Sequence, residues 1–112
     1  MAQRFYFQIG DLPHARGADP DLSFQGQTPG TFAAELQAAL RTTALFERWR
    51  AKQPEPDDVD PALGAVDPGA NVTATDTTPR TDIVVATALP HAILKHRMRL
   101  LVGSSWTLSD VK

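Results

Sequence analysis

The sequence predicts an α+β domain in which one main helix packs on a small, mostly antiparallel sheet of about three to four strands. A long disordered acidic loop is expected inside it. Three observations carry this expectation. The first residues alternate polar and apolar with period two, residues 31–52 carry an apolar stripe of helical period, and residues 83–89 form an unbroken β-prone run. At 112 residues, 42% hydrophobic and net charge −2, the chain fits a single domain spanning 1–112.

Residues 3–9 place Phe5, Phe7 and Ile9 on one face and Arg4, Tyr6 and Gln8 on the other, a half-buried strand. Residues 10–30 are punctuated by Gly10, Pro13, Gly17, Pro20, Gly26, Pro29 and Gly30, which exclude a helix or central strand. They read as a long loop pinned by Leu12, Leu22 and Phe24. The main helix follows from Thr31, as N-cap, to Lys52, with Glu35 in its first turn and Arg48, Arg50 and Lys52 in its last. Phe32, Leu36, Ala39, Leu40, Thr43 and Phe46 share its apolar stripe. The Thr42–Thr43 pair is the point at which it would kink or break.

Residues 53–80 differ in composition. They hold five of the nine prolines and carry net charge −5, without a single aromatic. Such a segment buries too little apolar surface to offset an ordering entropy of about 1–2 kcal/mol per residue, so it reads as a disordered internal insertion. Residues 83–89 then form a strand covered on both faces, closed by Pro90. Residues 91–102 read in two ways. As a helix their apolar residues scatter around the wheel. As a strand over 95–102 they put Lys95, Arg97 and Arg99 on one face, and the strand is preferred. Trp106, Thr107 and Leu108 read as a last short strand.

Function classes are mostly excluded rather than chosen. No apolar run approaches the roughly 18 residues of a membrane span. The N-terminus lacks the apolar core of a signal peptide, so a cytoplasmic protein is the default. The absence of cysteine removes thiolate catalysis and cysteine-held zinc. His14 among Asp11, Asp19 and Asp21, and the pair His91 and His96, match no metal-ligand spacing, so no metal or other cofactor is expected. Gly103-Ser104-Ser105 is not a nucleophile elbow, and Gly26–Gly30 lacks the lysine of a phosphate loop. No catalytic residue is assigned, and the chain is read as a non-enzyme.

Two functional readings remain. The first is a protein-interaction module or assembly subunit that docks a protein partner, or a second copy of itself, through Trp49, Trp106 and the sheet edge, with the acidic segment ordering on contact. The alternative is a weak single-stranded nucleic-acid binder using Arg4, Tyr6, Lys95, Arg97 and Arg99 on one sheet face. A third possibility, a small-molecule or anion site under the 10–30 loop, requires a cavity there.

Overall fold

Seven main elements follow one another in a computed structural model describing residues 3–77 and 80–112. They are β1 (Gln3–Ile9), α1 (Pro29–Arg41), α2 (Ala44–Ala51), β2 (Asn71–Asp76), β3 (Thr81–Thr87), α3 (His91–Val102) and β4 (Thr107–Val111). The strands form one sheet in the order β2-β3-β1-β4, with every neighbouring pair antiparallel. β1 therefore runs parallel to β2 with β3 inserted between them, and β3 runs parallel to β4 with β1 inserted. Two interlocked split βαβ units of this kind make the ferredoxin-like arrangement, an architecture that by itself implies no function.

β1 matches its sequence pattern: Phe5, Phe7 and Ile9 are buried and their alternates are not. β3 begins two residues earlier than its apolar run suggests, because Thr81 pairs with Ile9. Ile83 and Val85 complete the inner face of the sheet, against Phe32, Leu36 and Leu40 of α1. Each such side chain, fully removed from water, contributes roughly 1.5–3 kcal/mol.

The single helix expected over 31–52 is two. Thr42 adopts extended dihedrals (φ −132°, ψ 165°), and its Oγ1 donates to the Ala38 carbonyl at 2.9 Å, so the backbone stops and restarts at Ala44. The N-cap is Thr28 rather than Thr31: Thr28 Oγ1 accepts from Thr31 N at 3.2 Å, and Pro29 opens the helix.

The strand expected over 95–102 is corrected to α3. Ile93, Leu94, Arg97, Met98, Leu101 and Val102 are buried, a continuous stripe at helical spacing with arginine in its middle. Arg97 is fully buried. Its Nε donates to Ala39 O (3.3 Å), Nη1 to Leu63 O (2.6 Å) and Nη2 to Ala65 O (3.0 Å), while the Phe46 ring lies 5.6 Å from the guanidinium carbon. Those carbonyls belong to α1 and to the acidic segment, so α3 grips both.

The expectation of disorder over 53–80 is corrected for the same reason. Residues 71–76 form β2, and two short 3-10 turns (Pro56–Asp58 and Pro61–Gly64) shape the chain before it. Asp67 Oδ2 accepts from Thr87 Oγ1 (2.8 Å) and Ala88 N (2.9 Å), and Asp67 N donates to Leu40 O (2.8 Å). Gly64 lies so close to Phe46 that a β-carbon there would stand 2.7 Å from the ring. The apolar deficit of this segment is met by hydrogen bonds supplied from outside it. Residues 78 and 79, which that expectation included, lie outside the described residues.

Candidate functional site

The helical layer lies on one side of the sheet, and the opposite face is bare. The register arranges that face in three rows. Asn71, Ala86, Arg4 and Lys112 form the first, Thr73, Val84, Tyr6 and Asp110 the second, and Thr75, Asp82, Gln8 and Thr107 the third. Arg4 and Lys112 exchange backbone hydrogen bonds at 2.9 and 2.8 Å, which carries the β1–β4 ladder to its end. A shallow depression of about 290 Å³ lies among Arg4, Tyr6, Asn71, Thr73, Val84 and Ala86. Its floor is half-buried Tyr6, Val84 and Ala86, the most apolar part of the face.

The charges on this face are cations at one end of the strands and ion pairs elsewhere. Arg4 and Lys112 stand at one end, and the Lys112 ammonium sits 5.5 Å from the Tyr6 ring centroid. Asp82 stands at the other end, with Arg80 Nε 3.4 Å from its Oδ1. Asp110, in the middle row, lies 3.6 Å from the Lys112 ammonium.

The structure brings only two of the five residues of the nucleic-acid reading together. Arg4 and Tyr6 share the open face. Lys95, Arg97 and Arg99 sit on α3, on the far side, where His91 of the same helix stacks on Phe5 at 5.6 Å. Lys95 is half-buried, Arg99 exposed and Arg97 enclosed, so they form no common surface. Lys112 joins the face instead. Alternation places it there once β4 is known to extend to the end of the ladder, but the turn residues before Trp106 gave no such length.

Trp49 and Trp106 are half-buried and packed on the core. Trp49 lies 5.9 Å from the Phe46 ring and meets His96 edge-on at 4.4 Å. Trp106 meets Phe7 edge-on at 5.4 Å, and its Nε1 donates to Gly103 O at 2.9 Å. Burial, with Arg97 and Arg99 nearby, holds the His96 imidazole below its ordinary value, so it is kept neutral against Trp49.

Both sheet edges are guarded. On β2, Gln37 Oε1 accepts from Val72 N (3.1 Å) and Arg41 Nε donates to Ala70 O (2.7 Å), so α1 occupies outward backbone groups that another strand would need. On β4, the register shifts between Tyr6 and Phe7, and Val111 N turns to the Asp110 carboxylate at 2.8 Å.

His14 and Asp11 make an exposed pair at 2.9 Å, and among the described residues no group of three histidines or carboxylates is placed to hold a metal ion. No helix among them is long and apolar enough to cross a membrane. Comparison with protein-family models, curated proteins and solved structures finds no match to this chain.

Proposed function

We propose that the chain is a non-enzymatic interaction module that associates with a second copy of itself through the open face of the sheet. The observation that carries this reading is the bare face, with its half-buried Tyr6–Val84–Ala86 floor. A two-fold axis along the Thr73–Val84–Tyr6–Asp110 row packs that floor on its copy. It also sets Arg4 and Lys112 of each protomer over the Arg80–Asp82 pair of the other. An isologous contact of this kind is self-complementary without any change in the monomer. The guarded edges direct association to the face. In this reading the two tryptophans buttress the core rather than anchor a partner.

The face is small. Four strands of about six residues span roughly 15 by 20 Å, so the dimer belongs among weak interfaces, with a dissociation constant of about 10–100 μM. Sedimentation velocity or light scattering across that range is expected to show a monomer passing to a dimer. Val84→Lys is expected to leave a monomer with the same circular dichroism and melting temperature. A wild-type chain that stays monomeric up to about 1 mM would refute the reading. Single-stranded oligonucleotide binding with a log–log salt slope of about −1 to −2, as expected from Arg4 and Lys112 alone, would instead favour the nucleic-acid alternative.

A further inference from the structure

On the helical side of the molecule, away from the bare face, residues 20–25 and the elbow between α1 and α2 border an open cleft of about 350 Å³, within the size range of small-ligand sites. Its apolar walls are Leu22 from the loop, Ala39 and Leu45 from the two sides of the elbow, and Leu101 from α3. The elbow exists because Thr42 breaks the helix, and without that break Leu45 and Arg48 would not turn toward the loop.

Most polar groups around the cleft are already committed. Ser23 Oγ accepts from Gly17 N (2.8 Å) and lies 3.2 Å from Leu101 O, so it holds the loop in place. Asp21 Oδ2 is paired with Lys52 Nζ at 2.8 Å. Gln25 donates to Pro20 O at 3.0 Å. Two opposite charges remain. Among the described residues Glu35 has no hydrogen-bond or ion-pair partner, and Arg48 has a single long contact, Nη1 to Asp21 O at 3.4 Å.

We propose that this cleft binds a small zwitterion with an apolar side chain, of the size and charge of a free α-amino acid. Arg48 takes the ligand carboxylate, Glu35 takes its ammonium group, and Leu22, Leu45 and Leu101 cover its side chain. A ligand with only one of these charges would forgo one of the two charge-assisted contacts. Burial raises the Glu35 carboxyl above its ordinary range, against the pull of Arg48 and Arg16, and a bound ammonium group would relieve that cost. The site is independent of the open sheet face, so failure of self-association does not bear on it.

The test is an amide chemical-shift titration of the full chain with L-leucine and, separately, L-phenylalanine. Saturable shifts are expected in residues 20–25 and 35–48 at low-millimolar ligand. N-acetyl-leucine, which lacks the ammonium, and leucinamide, which lacks the carboxylate, are each expected to bind about tenfold more weakly. Glu35→Gln should weaken leucine about tenfold yet leave N-acetyl-leucine unchanged, and Arg48→Gln should do the same for leucine and leucinamide respectively. Both variants replace half-buried or exposed side chains, and an unchanged melting temperature confirms their fold. The proposal is overturned by the absence of saturable shifts up to about 20 mM of either amino acid, or by binding that Glu35→Gln and Arg48→Gln leave untouched.

Discussion

Two loops of this chain have nearly the same punctuation and are held by opposite means. Residues 10–28 and 53–70 are both rich in proline and glycine, and both wrap the helical layer. The first carries its own anchors: Leu12, Leu22 and Phe24 are all buried, Phe24 meets Phe32 edge-on at 5.2 Å, and Arg16 stacks over the Phe24 ring at 5.3 Å. Gly17 then lets the strand of chain press onto the Leu100 carbonyl, where any β-carbon would collide. The second loop contains no large buried apolar side chain, and Leu63 and Ala65 only lean on the core. It is ordered by Arg97 reaching out from α3 and by Asp67 reaching across to the end of β3. Apolar burial and a polar clamp can thus offset the same ordering entropy, but only the first is carried by the loop itself.

The comparison breaks most visibly at Arg97. Arg97→Met keeps the bulk and the apolar stripe but orphans the carbonyls of Ala39, Leu63 and Ala65, each of which costs about 1–3 kcal/mol when buried without a donor. The expected loss is about 4–6 kcal/mol by urea denaturation, with hydrogen exchange rising first in residues 60–67. Loss confined to α3, with 60–67 still protected, would show that the clamp is not what orders the segment. Phe24→Ala is expected to cost about 3–5 kcal/mol, the usual range for a buried phenylalanine. Here the exchange should rise first in residues 17–26 and leave 60–67 protected. Equal responses of both loops to both variants would dissolve the distinction.

Arg97 also explains how far the sequence could be read. β1, the loop after it with its three pins, the weak point at Thr42–Thr43 and a two-layer α+β class follow from apolar periodicity, Gly/Pro punctuation and threonine chemistry, although the loop ends at Thr28, where Pro29 opens α1. They match the structure because in those places the buried residues are apolar. In α3 the stripe Ile93, Leu94, Met98, Leu101, Val102 is interrupted by the one position where a charge is buried. With Arg97 counted as solvent-facing, alternation through Lys95, Arg97 and Arg99 imitates a strand. The same residue hides the order of 53–70, since its partners are backbone carbonyls that leave no trace in composition. β2 was missed because Val72 is its only large buried side chain. Of the open face, Arg4 and Tyr6 were legible from β1. A small-molecule site under the 10–30 loop was legible as a possibility, but its charged residues were not, because Glu35 and Arg48 line one cleft only when the helix breaks between them.

A smaller effect separates the loops by their response to acid. Asp67 accepts from Ala88 N and Thr87 Oγ1, and also from Gly69 N at 3.0 Å, and these donors hold its carboxyl below the ordinary aspartate range. A carboxylate whose pKa is lower in the folded state stabilises the fold fully above its unfolded value, near 3.9, and that contribution is lost as pH falls through the folded value. Asp67→Asn keeps the shape but not the charge. Its melting temperature is therefore expected to lie a few degrees below wild type at pH 7, and the gap should close as both are taken toward pH 2. Leu12, Leu22 and Phe24 do not titrate, so Phe24→Ala should keep a constant deficit through the same range, apart from the shared response of the other carboxylates. In the first loop Asp19 is also held low, chiefly by its hydrogen bond from Lys52 and then by Asp21 N. Lys52→Met in both backgrounds removes the larger of those causes and leaves Asp67 as the carboxylate under test. A gap between wild type and Asp67→Asn that stays open at pH 2 would mean that Asp67 orders its loop by shape alone, and the second loop would then depend on Arg97 without a second clamp.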